Sequence, residues 1–308
     1  MEFRQLEAFV NAAKYKSFSK AADATFLTQP TISTHVNNLE RELGVRLLNR
    51  NGREITLTPH GHEFYGYAVD LLNTRAKALV SVQNLKEDLD GILELQTSSI
   101  PGHYYLPMIM EEFHKVYPKV RFYVEQSDSR IVNDNILNKR GEIGFTGYKG
   151  NLDLTFVPIF YDEMVLITPD TEKYRIYNDG DEIPVDVFIN EPFVMREDGS
   201  GTKHEMEKAL VNGKPVFKNV DVIARMSNMS VVKEVVSRGL GVSVVSEQIV
   251  KQSARQERLR YFKIRGLEKK RCFYMTYNKS ICLSPIAETF MEFIRDKAYR
   301  ELGISEEE

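Results

Sequence analysis

Apolar residues recur at helical spacing three times near the start of the chain. Leu6, Phe9, Val10 and Ala13 fall on one face of residues 4–14, which predicts a first helix. Ser17-Phe18-Ser19 interrupts it, and Ser19 is placed to cap a short second helix through Ala21, Ala22 and Ala24. The alanine pair would let a neighbouring backbone approach closely. Phe26-Leu27-Thr28 reads as a turn, Thr28 as the next N-cap, and Pro30 sits in the first turn, where a missing N–H costs nothing. Ile32, Val36, Leu39 and Leu43 give the third helix its apolar stripe, and Gly44 ends it. Asn51-Gly52 is a hairpin signal, and Arg53-Glu54-Ile55-Thr56-Leu57-Thr58 alternates as a half-buried strand does. Residues 1–59 therefore read as three helices followed by a two-stranded wing, closed by Pro59.

From His60 to Asp90 no proline intervenes, and Phe64, Ala68, Leu71, Leu72, Leu79, Val82, Leu85 and Leu89 keep helical spacing. A helix over 60–90 would be roughly 45 Å long. Its thin apolar stripe between domains favours pairing with a second copy over packing on the domain that follows it. After Gly91 strands and helices alternate. Extended segments are expected at Ile92–Ser98, Val120–Glu125, Ile143–Thr146, Phe193–Arg196, Val220–Met226, Val242–Val245, Leu259–Ile264 and Arg271–Tyr277. Two more are expected within Phe156–Thr168, around Tyr161-Asp162-Glu163. Helices are expected at Tyr104–Tyr117, Ile131–Asn138, Gly201–Val211, Ser230–Arg238 and Pro285–Tyr299. This is an α/β pattern behind an all-α-rich N-terminal domain, and about 210 residues suit two lobes. One lobe is expected over about 91–161 with 266–308, the other over about 162–265. Ligands in such folds sit at the C-terminal ends of strands beside helix N-termini.

Charge adds little. The net of −3 does not by itself suggest nucleic acid; residues 1–60 carry 8 basic against 6 acidic side chains. DNA binding must be argued from the third helix. No run is apolar enough for a transmembrane span, and MEFRQLEAFVNAA is no signal peptide, so a cytoplasmic protein with no membrane partner is expected. The two cysteines, Cys272 and Cys282, have no metal-type spacing. No metal, cofactor or catalytic residue is expected, because no nucleophile–base or phosphate-loop pattern stands out.

With Ile32, Val36 and Leu39 turned to the core, Gln29, Thr31, Ser33, Thr34 and His35 are left outward, where a recognition helix meets base edges. Gln can read adenine, and Thr or Ser can reach bases or phosphates. The run Ala21-Ala22…Leu27-Thr28-Gln29-Pro30-Thr31-Ile32-Ser33-Thr34-His35-Val36…Leu39-Glu40…Leu43-Gly44-Val45-Arg46-Leu47-Leu48-Asn49-Arg50, then Leu57-Thr58-Pro59-His60-Gly61, closely resembles the DNA-binding domain of LysR-type transcriptional regulators. The order of the later segments resembles that family over essentially the whole chain.

The resemblance implies a winged helix-turn-helix, a dimerising linker helix and a two-lobed, periplasmic-binding-protein-like effector domain. It also implies a homodimer or a homotetramer built from two dimers. Double-stranded DNA, as an A·T-rich pseudo-palindrome, and a small-molecule effector are the partners it implies, with RNA polymerase as a further candidate. The DNA-facing set is then Gln29, Pro30, Thr31, Ser33, Thr34, His35, Arg50, Arg53 and Thr58. Family members often carry Arg where Thr34 stands, so a guanine reader is missing here. Arg53 on the wing suits a narrow A·T minor groove.

In the sensor, hydroxyls gather at strand-to-helix junctions: Ser98, Ser99 and His103; Ser127 and Ser129; Thr146; and Arg196, Ser200 and Thr202. Each alone is an ordinary cap, but four at equivalent strand ends favour one pocket for a small, acceptor-rich anion. The Ser-Ile-Pro-Gly and Arg…Gly-Ser-Gly-Thr segments resemble the family branch tied to sulfur and related oxyanion metabolism. Two rival readings are a solute-binding module with an assembly helix and an enzyme on a doubly wound fold. The missing signal peptide and the outward polar set argue against the first. The missing acid–base constellation argues against the second.

Overall fold

The computed structural model describes residues 1–50, 54–83, 89–150, 153–211, 213–251, 258–267 and 270–302. The chain divides into two compact units, 1–91 with 278–289, and 92–277 with 290–308.

In the first unit α1 (Phe3–Tyr15), α2 (Phe18–Thr25) and α3 (Gln29–Leu43) surround Leu6, Phe9, Ala12, Ala21, Ala22, Ile32, Val36 and Leu39, all buried. The apolar spacing read from the sequence is the spacing of this core. One cap differs: Ser17, not Ser19, accepts the Lys20 N–H and starts α2 two residues earlier than expected. Thr28 caps α3 as expected, and Gly44 ends it with a left-handed backbone, φ 72°. β1 (Leu48–Asn49) pairs antiparallel with β2 (Thr56–Leu57) to make the wing. The hairpin tip at 51–53, which includes Arg53, lies outside the described residues.

Glu40 ties this wing to α3. One carboxylate oxygen accepts the Leu47 and Leu48 N–H groups at 2.8 and 3.0 Å, and the other accepts Arg50 at 2.8 Å. α4 (Pro59–Gln83) follows; residues 84–88 of the expected linker lie outside the described residues. Leu72 packs on the N-terminal core, whereas Leu71, Leu79 and Val82 are exposed. The same unit holds residues 278–289. There the Cys282 carbonyl accepts Asn73 Nδ2 at 2.7 Å, Asp70 accepts the Cys282 N–H at 2.9 Å, and Lys77 pairs with Glu288.

The second unit is α/β. β3 (Gly91–Thr97), α5 (Leu106–Val116), β4 (Val120–Gln126), α6 (Ser129–Leu137) and β5 (Ile143–Thr146) open it. Then come β6 (Leu154–Pro169), α7 (Glu172–Arg175), β7 (Glu182–Ile183), β8 (Phe193–Arg196), α8 (Gly201–Lys208), β9 (Leu210–Val211) and β10 (Lys214–Pro215). β11 (Val222–Met226), α9 (Met229–Ser237), β12 (Ser243–Ser246), α10 (Glu247–Lys251), β13 (Leu259–Ile264), β14 (Lys270–Asn278) and α11 (Pro285–Leu302) complete the chain. The strand order β4-β3-β5-β14-β6-β13-β7 runs through both lobes. In the first lobe β3 lies parallel to β5 and β14 antiparallel to it. In the second, β12 and β13 flank β6, and β8 pairs parallel with β11.

Two expected elements change. The pair of segments over Phe156–Thr168 is one continuous strand, β6, because the polar Asp162 at its middle is neutralised inside the protein by Arg271 instead of turning to solvent. The helix expected over Gly201–Val211 stops at Lys208, where the chain enters the β9–β10 hairpin. Among the described residues no helix is long and apolar enough to cross a membrane.

Candidate functional site

Two surfaces carry the candidate chemistry. The first is the outer face of α3. Gln29, Pro30, Thr34 and Asn37 are exposed there, and Thr31, Ser33 and His35 are half-buried. The Thr34 hydroxyl donates back to the Pro30 carbonyl at 2.8 Å, and Thr31 shares a 2.8 Å hydroxyl contact with Thr28, so both keep only part of their hydrogen-bonding capacity for a partner. At the α2–α3 turn Phe26 stands 97% exposed on a left-handed backbone, φ 55°, beside exposed Leu27. A phenyl ring so bare of neighbours is costly to leave in water, and a thymine methyl is one apolar surface that fits it.

Arg50 stays at the edge of this surface, its guanidinium held by Glu40 and 5.2 Å from the Phe18 ring centre. Thr58 is not on the surface. It is buried, its hydroxyl donating to the Arg46 carbonyl at 2.7 Å and accepting the Gly61 N–H at 3.0 Å, so it caps α4. The resemblance had put it on the DNA side; its hydroxyl is spent inside the domain.

The second surface is a small, solvent-open cavity at the C-terminal ends of β3, β5 and β8. Ser98, Ser99 and Ile100 line it after β3, Asp128 and Ser129 at the start of α6, and Gly147 after β5. Arg196, Ser200, Gly201 and Thr202 close it from β8 and α8, over the Phe273 ring. The strand-to-helix junctions converge because each strand ends at the same edge, and each following helix turns its free N–H groups back toward that edge. Ser98 is 5% exposed, and its hydroxyl has no hydrogen-bond partner among the described residues. Ser129 Oγ accepts the Gly147 N–H at 3.0 Å, and Thr202 Oγ1 accepts Arg271 Nη1 at 2.8 Å, which leaves the Thr202 hydroxyl hydrogen to point elsewhere.

Arg196 is 4% exposed, but its charge is already matched. Nε and Nη2 each lie 2.7 Å from the Glu197 carboxylate, and Nη2 also donates to the Ser227 carbonyl at 3.1 Å. Glycines set the closeness of the two walls. A Cβ on Gly199 would fall 2.3 Å from the Asp128 carboxyl, and one on Gly201 3.0 Å from the Gly147 Cα. The Arg130 N–H donates to the Gly199 carbonyl at 3.3 Å across the same gap.

Residues 3–62 match the bacterial regulatory helix-turn-helix proteins of the LysR family, and residues 86–298 match the LysR substrate binding domain. The chain belongs to the LysR family of transcription regulators. It is 30% identical over 288 residues to an uncharacterised HTH-type transcriptional regulator, MJ0300, of Methanocaldococcus jannaschii, covering 94% of this chain and 96% of that one. Its fold is similar to full-length CbnR solved with its target DNA (TM-score 0.56, 20% identity, 97% of this chain and 100% of that one). It is also similar to the effector binding domain of QuiR in complex with shikimate (TM-score 0.62, 17% identity, 69% of this chain and 99% of that one). This LysR regulator is thus a DNA-binding protein with an effector-binding domain, not an enzyme.

Of the sensor residues expected in the pocket, the structure gathers Ser98, Ser99, Ser129, Arg196, Ser200 and Thr202. It leaves three outside. His103 is exposed, its Nδ1 2.7 Å from the Ser99 carbonyl, and shapes the turn. The Ser127 hydroxyl is directed to the Asp128 carbonyl, and Thr146 is buried behind Ser129. Sequence reasoning missed Asp128 as a wall of the cavity, since a helix-start Asp reads simply as a cap. It also missed the Arg271–Asp162 pair, whose members are 109 residues apart and carry no spacing signal.

Proposed function

We propose that this regulator binds an A·T-rich pseudo-palindrome as a homodimer, or as a tetramer of two dimers, and that a small anion in the cavity tunes that binding. α3 enters the major groove with Gln29, Thr31, Ser33, Thr34, His35 and Asn37 toward the bases, and Phe26 and the wing flank it. The dimer forms through α4, where Leu71, Leu79 and Val82 leave an exposed apolar stripe at helical spacing. The anion bridges the Ser98–Ser99 turn, the start of α6 and the start of α8. It acts by binding the closed arrangement of the two lobes better than an open one. A change in closure then alters how dimers spread on DNA and how far the DNA bends. DNA binding supports a cytoplasmic location, with RNA polymerase as the remaining partner.

The observation that carries the ligand reading is the Ser98 hydroxyl, buried in the cavity wall without a partner among the described residues, since such a group costs free energy until something bonds it. Titration calorimetry with small oxyanions, short carboxylates and apolar aromatics tests it. Ser98→Ala and Thr202→Val are expected to weaken the anion that binds. A tight aromatic ligand indifferent to both substitutions would refute the anion reading. Shikimate in QuiR is a carboxylate held by a domain of this fold, which supports the class.

A further inference from the structure

We infer that Asp128 makes the cavity selective for anions that bring a hydrogen-bond donor of their own, and against anions of the same shape and charge that have none. The inference rests on the reading of the cavity as an anion site.

The donors that would hold an anion here are neutral. They are the Ser129 N–H at the start of α6, the first N–H groups of α8, the Ser98 hydroxyl, unpartnered among the described residues, and the Thr202 hydroxyl, whose acceptor side is already taken by Arg271. The one cation in the wall, Arg196, is matched by Glu197 through two 2.7 Å bonds. The unmatched charge among the lining residues is the Asp128 carboxylate. Its Oδ1 accepts the Ile131 N–H at 2.8 Å, while Oδ2 has no hydrogen-bond partner among the described residues. Gly199 lies directly against the carboxyl, so the group is hemmed in on that side.

A carboxylate only accepts. Facing an anion oxygen that also only accepts, it repels, and in a partly dry site neither charge is screened as it is in water. Facing an O–H or N–H of the ligand, the same oxygen forms a charge-assisted hydrogen bond. Selectivity arises from the repulsion as much as from the bond. The ligand class is therefore a small oxyanion that retains a proton at neutral pH, or a short hydroxy- or amino-carboxylate.

Two pairs of ions isolate the proton: hydrogen phosphate against sulfate, and hydrogen carbonate against nitrate. Each pair shares shape and, at mildly alkaline pH, charge. Calorimetry on the full chain is expected to show the proton-bearing member of at least one pair binding about tenfold tighter or more. Asp128→Asn keeps an acceptor for the α6 cap and puts an N–H where Oδ2 was. It is expected to bring the two members within about threefold, or to reverse their order. Ser98→Ala reports on the cavity itself and is expected to weaken both members alike. If Ser98→Ala weakens binding but the wild-type protein binds both members equally, or Asp128→Asn leaves the ratio unchanged, the role of Asp128 is overturned and the anion site stands. If no member of either pair binds, or Ser98→Ala changes nothing, the anion site itself is overturned and this inference with it.

Discussion

Replacing Asp162 by Ala would leave the Arg271 guanidinium stranded. That side chain is 1% exposed, its Nε donates to Asp162 Oδ2 at 2.7 Å, and Nη1 donates to Thr202. Nη2 also lies 2.7 Å from the same carboxylate oxygen but without hydrogen-bond geometry, so the contact there is of charge with charge. Burial pulls the guanidinium below its ordinary pKa and Asp162 pulls it back up, yet arginine does not shed its proton in a protein, so the cation stays. Losing the partner of such a buried pair costs about 3–5 kcal/mol. Ser246, which donates to the other Asp162 oxygen at 3.0 Å, loses its acceptor as well. The double replacement Asp162→Leu with Arg271→Met removes both charges and is expected to recover most of that loss, since apolar substitutes for buried pairs are often neutral or better. Urea unfolding followed by circular dichroism gives both numbers, and anion affinity in the double variant should still fall, because Thr202 no longer has Arg271 to orient it. A single variant within about 0.5 kcal/mol of wild type, or a double variant as unstable as the single, would refute the reasoning.

Glu40→Ala removes the acceptor of two buried N–H groups and of Arg50, and is expected to destabilise the N-terminal unit by about 2–3 kcal/mol, read as an earlier thermal transition, and to weaken DNA binding through a misplaced wing. Phe26→Ala is expected to leave stability unchanged, because the ring covers nothing, while lowering DNA affinity by about 1 kcal/mol in fluorescence anisotropy. Leu79→Asp is expected to shift the mass seen by light scattering toward a smaller species; Leu72 is the poorer probe, since it packs on the core of its own domain. Desolvation beside the Tyr148 ring, 4.4 Å away, holds His204 below its ordinary pKa of 6.5. The unfolded chain therefore takes up a proton first as pH falls through that value, stability drops with it, and the drop levels off below the folded pKa. His204→Gln should flatten this part of the pH–stability curve.

The N-terminal half of this account was legible because it depends on local signals. Spacing gave the α1–α3 core, Thr28 and Gly44 gave the ends of α3, and the outward residues followed from the inward ones. Where a specific side-chain contact decided the outcome, the sequence was silent or misleading. Asp162 reads as a strand breaker until Arg271 is known to reach it. Arg196 reads as an anion's counter-charge until its neighbour Glu197 is seen to match it. Thr58 reads as a DNA contact until its hydroxyl is found between Arg46 and Gly61. The hydroxyl clusters at the strand ends were visible one by one. That Ser98, Ser129 and Thr202 share one cavity while Ser127 and His103 do not depends on side-chain direction at each turn, which spacing alone does not encode.

The central claim is that the outer face of α3 reads DNA. Selection of bound sequences from a random duplex pool by the full chain tests it most directly, repeated with Gln29→Ala and Asn37→Ala at matched salt. The account predicts an enriched, two-fold symmetric, A·T-rich motif, with information lost at defined positions of each half-site in the two variants. An unchanged motif in both variants, or no enrichment at all with the wild-type protein, would contradict it.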